Sequence, residues 1–286
     1  MGSADVTSAA FADRLSRMRE DALAALRQGD PARAAALAGE VAAADPRDAV
    51  AAQALGHALL MQDRAREAAE ALRATAATAE DPAIETLFAR ALARAGRRDE
   101  ALDQLLRTTA RRPAFALAFL ELGELLGQAG RLDEALAVFD EGLSLAPDAA
   151  VLRVGLGHLQ LKLNDRAQAR AQFEAVRRAA PQRIDATLGL ARVLELDGDY
   201  AGAAELCRAA LAIRPDAATQ IQLGRCLFEL GERAAGEAAL KAAALGSSQA
   251  TGPATGLAIA ALAAAPHGRL FLKPSAAAAF LRGETA

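Results

Sequence analysis

Turn-forming residues recur along this chain every 34 or 33 positions for seven cycles: Gly29, Asp63, Gly96, Gly130, Asn164, Gly198 and Gly231. Glycine enters the left-handed region of backbone space freely, and Asp and Asn tolerate it best among the other residues. A period of this length is the mark of one supersecondary unit that is copied and stacked, because a single copy cannot bury its own apolar surface. Whatever else the chain does, it folds as an array.

The clearest copy runs from Ala116 to Ala149. Phe119, Leu122 and Leu126 fall at helical spacing and give one apolar stripe. Gly130 stops that helix, and a second stripe follows in Ala135, Phe139 and Leu143 before Pro147 stops it in turn. The unit is therefore a helix hairpin.

Three further columns keep the same step. Small residues occupy Ala34, Ala68, Ala101, Ala135, Ala169, Ala203 and Gly236, where two helices must approach closely. Prolines close the second helix at Pro46, Pro113, Pro147, Pro181 and Pro215, with Pro82 displaced by two. Mid-way along the first helix stand Leu55-Gly56, Leu122-Gly123, Leu156-Gly157 and Leu223-Gly224, with Ala22, Ala89 and Ala191 replacing the glycine elsewhere. These columns resemble the tetratricopeptide repeat, in which a Leu-Gly pair, an Ala, an aromatic or aliphatic residue and a closing Pro recur over 34 residues. The resemblance implies an all-α fold: a right-handed superhelical solenoid of about seven hairpins whose first helices line a concave groove.

The predicted organisation has three parts. Residues 1–14 lengthen the first helix at its N-terminus, 15–250 form the array, and 251–286 supply a C-terminal capping helix and tail. The 34-residue register places Leu257-Ala258 where the Leu-Gly pair would fall, so 253–265 is expected to be an eighth first-type helix on the seventh hairpin. Beyond it the register fails, leaving a Leu270-Phe271-Leu272 strip and a short Ala-rich helix after Pro274.

Composition narrows the function. A net charge of −3 exerts no general pull toward nucleic acid or anionic membrane, and aromatics for base stacking make up only 3% of the chain. No run approaches a membrane span, and no apolar leader is visible, so a cytoplasmic protein is expected. The three histidines, His57, His158 and His267, and the two cysteines, Cys207 and Cys226, show no metal spacing. Phosphate-binding loops and nucleophile elbows are missing as well. Paired carboxylates such as Asp133-Glu134 lie in first turns, where they favour the helix dipole. The expectation is no enzyme, no cofactor and no metal. Cys207 shares the column of Phe139 and Phe173 and is read as a buried thiol.

The resemblance makes the residue after the Leu-Gly pair, and the one a turn later, face the groove. Those two rows read Leu23, His57, Arg90, Glu124, His158, Arg192, Arg225 and Arg27, Met61, Arg94, Gln128, Lys162, Leu196, Glu229. Six basic residues face two acidic ones there, on a chain that is acidic overall. His57, Arg90, Arg94, His158, Lys162, Arg192 and Arg225 are thus the candidate binding residues. Guanidinium forks match carboxylates, so the expected partner is an acidic peptide or protein. Exposed ion pairs contribute about 0.2–1 kcal/mol each, so apolar contact from Leu60, Met61, Leu120, Val154, Leu188 and Ile221 is also required.

Two other readings stand beside this adaptor. Phe271, Leu272 and Phe280 could dock the tail on the array or join two copies, making the chain a monomer or a homodimer. Alternatively, the array could be the accessory subunit or repeat portion of a modifying enzyme, a transferase or an oxygenase, that supplies the chemistry itself.

Overall fold

A computed structural model describes residues 3–245, 253–264 and 274–283. Sixteen helices follow one another among these residues, with no strand. They divide into two compact units, Met1–Gly155 and Leu156–Ala286.

In the first unit the first-type helices are α1 (Ser3–Arg27), α3 (Ala49–Met61), α5 (Pro82–Arg94) and α7 (Ala116–Gln128). Each packs on the next in the series. Their partners are α2 (Pro31–Ala44), α4 (Ala65–Thr78), α6 (Arg98–Thr109) and α8 (Leu132–Leu145). The helix α9 (Ala150–Lys162) contains the division between the units. The second unit continues with α10 (Arg166–Ala179), α11 (Ile184–Leu196), α12 (Tyr200–Ile213), α13 (Ala217–Glu229) and α14 (Arg233–Leu245). It ends with α15 (Pro253–Ala264) and α16 (Pro274–Arg282).

All seven turn residues take positive φ, from 60° at Asp63 and Asn164 to 86° at Gly96. The residue after each turn donates its amide back to the carbonyl five positions earlier, as in Arg131 to Leu126 at 3.0 Å and Asp165 to Gln160 at 2.8 Å. This Schellman closure satisfies the last carbonyls of the first helix and fixes the direction of the second. Six of the seven second helices then start in one of two ways. Asp30, Asp165 and Asp199 cap α2, α10 and α12 through their own carboxylates. At α4, α6 and α8 the same position holds Arg64, Arg97 or Arg131, whose guanidinium forks onto Glu67, Glu100 or Glu134.

The mid-helix glycines mark contact with the second helix of the same hairpin. A Cβ on Gly56 would lie 2.7 Å from Leu72, and one on Gly123 would lie 2.6 Å from Phe139. In the second unit the corresponding distances are 2.8 Å from Gly157 to Phe173 and 2.9 Å from Gly224 to Leu240. Where Ala replaces the glycine, the residue in the facing column is Ala38, Leu105 or Cys207, all buried. Phenylalanine occurs in that column only opposite glycine. The bulkiest ring therefore sits only where the facing residue has no Cβ, as a close-packed core requires.

Pro82 differs from the other column prolines. It opens α5 at the first helical position behind the Asp81 cap instead of closing α4. Glu80 takes a φ of 49° in the connection between α4 and α5.

The C-terminal segments cap the second unit. α15 packs on α13 and α14, and α16 packs on α14 and α15. Leu262 and Leu281 are fully buried there with Phe228, Leu240 and Ala258.

Candidate functional site

The first unit brings Arg90, Arg94, Glu124 and Gln128 to one open cleft of about 310 Å³ between α5 and α7. Arg90 does not stand free in it. Its Nε lies 2.8 Å from Glu121 Oε1, which crosses from α5 to α7. Arg94 reaches the other way, donating to the Leu60 carbonyl at 3.2 Å and to Asp63 Oδ1 at 3.0 Å in the preceding turn. His57, half-buried beside Arg90, has its pKa pushed below the usual imidazole value, first by burial and then by that guanidinium. It is neutral at pH 7. Glu124 lines the same cleft with its pKa raised, first by loss of water and then by the adjacent Glu121, while Arg90 opposes the shift.

The second unit gathers Arg192 and Arg225 on one buried carboxylate. Arg192 Nη1 lies 2.9 Å from Glu195 Oε2, and Arg225 Nη2 lies 2.8 Å from Glu195 Oε1. Gln222 Nε2 adds a long contact to the same carboxylate at 3.4 Å. The Glu195 side chain is 7% exposed, whereas the two arginines are 43% and 51% exposed. Two guanidiniums on separate helices, α11 and α13, are thereby held side by side. His158 lies at the edge of Phe173 with ring centroids 5.2 Å apart. Burial lowers its pKa, and Asp185 partly offsets that. Lys162 is the exposed last residue of α9.

The two groove rows therefore omitted three carboxylates: Glu121, Asp63 and Glu195. Counting them cuts the excess of four positive charges to one. Two of the three were within reach of sequence reasoning. Glu121 and Glu195 lie three residues from Glu124 and Arg192, hence on the same helix face. The apolar set also changes. Leu60 and Val154 are 5% and 7% exposed and belong to the core, whereas Met61 is 56% exposed. Leu120, Leu188 and Ile221 are half-buried.

The thiols are free and buried in the core of α11–α13. Burial pushes Cys207 up to about 12 and Cys226 up to about 11. Phe271, Leu272 and His267 lie outside the described residues. Phe280 packs against the core of the C-terminal cap, with Lys241 Nζ 4.2 Å from its ring centroid. Among the described residues no group of His, Cys, Asp and Glu could hold a metal, and no helix is long and apolar enough to cross a membrane.

A tetratricopeptide-repeat family model matches residues 86–150 and 154–218. Over these two stretches the chain matches the tetratricopeptide-repeat family, and its successive helix hairpins share that fold. No curated protein sequence matches it significantly. Its fold is similar to that of a tetratricopeptide-repeat protein from Parabacteroides merdae, at 16% identity and TM-score 0.63, over 87% of this chain and 99% of that one. It is also similar to a thermophilic tetratricopeptide-repeat protein of Thermus thermophilus, at 21% identity and TM-score 0.56, over 63% and 98% of the respective chains. The human IFIT1 dimer with m7Gppp-AAAA shares the fold at 16% identity and TM-score 0.71, over 94% of this chain and 68% of that one. Repeats of this kind are scaffolds for protein partners.

Proposed function

We propose that this repeat protein is a non-catalytic adaptor whose first-type helices hold an acidic segment of a partner protein, with Arg192 and Arg225 as its principal anchor. The observation that carries this reading is their convergence on a single buried carboxylate. Glu195 neutralises one of the two charges and orients both forks, so one positive charge and most of ten guanidinium N–H donors remain for a ligand carboxylate. Arg90 and Arg94 are matched one-to-one by Glu121 and Asp63 and contribute less. The half-buried Leu188 and Ile221, on the same two helices, supply the apolar contact that ion pairs alone lack. Two reduced, buried thiols accord with a cytoplasmic setting.

A fluorescently labelled dodecapeptide rich in Asp and Glu tests the anchor. Arg192→Ala with Arg225→Ala should weaken its binding at least about tenfold while the helical CD signal persists. Removing both partners leaves Glu195 buried and unpaired, which itself destabilises. The Arg192→Lys, Arg225→Lys protein is the control, because it keeps the charges but loses the forks, and it should fall between the two. Equal affinity in all three proteins would eliminate the anchor.

A further inference from the structure

We infer that the cleft between α5 and α7 takes a basic side chain of the partner on Glu124, so that the recognised segment is mixed in charge and not uniformly acidic. The inference rests on the adaptor reading and adds the partner's charge pattern to it. Glu121 and Glu124 are like charges three residues apart on one face of α7, both lining the cleft. Arg90 from α5 satisfies Glu121 by a fork of Nε and Nη2 onto one oxygen. Arg94, also on the cleft wall, is engaged by the Leu60 carbonyl and Asp63. Glu124 has no hydrogen bond or ion pair among the described residues, and it stands exposed on the cleft wall with a second carboxylate close by. A carboxylate in that position gains more from an incoming ammonium or guanidinium than an isolated surface acid does, because the cation relieves the repulsion from its neighbour. A cleft of about 310 Å³ lies at the lower limit of small-molecule sites, and its open shape suits a side chain or two on a peptide.

The same cleft offers an anchor of the opposite sign. Arg98, at the start of α6, lines it, is exposed and has no partner among the described residues. Gln128 lies a helical turn beyond Glu124 and presents an amide. A partner segment with Lys or Arg near an Asp or Glu satisfies both walls at once. A uniformly acidic segment would place a third carboxylate beside Glu121 and Glu124.

Selection of random 12-residue peptides displayed on phage, with the full chain as bait, tests the inference. Peptides recovered on the wild type should carry a Lys or Arg at a fixed distance from an acidic residue. That basic preference should vanish on Glu124→Gln, and a mixed-charge peptide resynthesised from the selection should bind this variant about tenfold more weakly. Acidic peptides with no basic preference, recovered equally on wild type and Glu124→Gln, would overturn the inference and leave the Arg192–Arg225 anchor standing. Recovery of peptides without charge preference, or of none, would overturn both.

Discussion

At the scale of single residues, the stability of each hairpin depends on one close contact between its helices. Gly123 is the sharpest case, because a methyl group there would lie 2.6 Å from the buried Phe139 ring. Gly123→Ala should lose about 1–3 kcal/mol to overpacking and regain about 1 kcal/mol in helix propensity. A net loss of up to about 2 kcal/mol is expected in urea unfolding, and Phe139→Leu in the same chain should restore part of it. A single variant more stable than the wild type would refute the contact. The histidines make a second residue-scale prediction. The folded state holds His57 and His158 below their unfolded pKa of about 6.5, so it binds fewer protons than the unfolded chain as pH falls through that value. Their contribution is fully present above about pH 6.5 and declines below it. Carboxylates held low, Asp185 and Asp216 among them, act only at still more acid pH, whereas Glu124, held high, opposes the fall as it protonates. Thermal unfolding between pH 7.5 and 5.5 should therefore show a falling midpoint, with a shallower fall in His57→Gln; identical slopes would contradict the assignment.

At the scale of elements, the hairpin turn was fully legible in the sequence, because a Schellman closure demands a left-handed residue and few side chains supply one. The way the second helices begin was not legible. An Asp at the capping position announces itself, but Arg64, Arg97 and Arg131 look like poor caps until their forks onto the following Glu are seen. Pro82 was misleading for a related reason: proline both ends helices and begins them, and only the backbone shows which. The C-terminal helix illustrates a different gap. Its apolar side fits an intermolecular contact as well as a cap, and the structure places Leu281 inside the α14–α15 core of its own chain. Leu281→Ala should cost about 2–4 kcal/mol in that region. Amides of α14 and α15 should exchange faster in this variant, while the mass in solution stays that of the wild type. A drop in mass would point to a dimer joined by this helix.

At the scale of the whole molecule, ionic contacts are numerous and mostly exposed, and each contributes about 0–1 kcal/mol. Raising NaCl to 1 M should consequently move the unfolding midpoint by only a few degrees, since packing and turn closures carry the fold. Capture of the acidic peptide by Arg192 and Arg225 should fall steeply over the same range. If salt abolished the fold and spared the capture, both attributions would be wrong.

The sequence by itself determined the repeat, its helix hairpins, the seven left-handed turns and the small residues at the helix crossings. These follow from local backbone chemistry and from a period that any stacked array must keep. It also placed Arg90, Arg94, Arg192 and Arg225 on the first-type helices. Only the tertiary structure decided which charges remain available. Arg90 meets Glu121 across two helices 31 residues apart in sequence, and Glu195 gathers Arg192 together with Arg225 from the next first-type helix. A row of charges read along one helix face cannot reveal this, because the field at a surface is set by the nearest opposite charge in space. In a stacked array that charge often belongs to the neighbouring repeat.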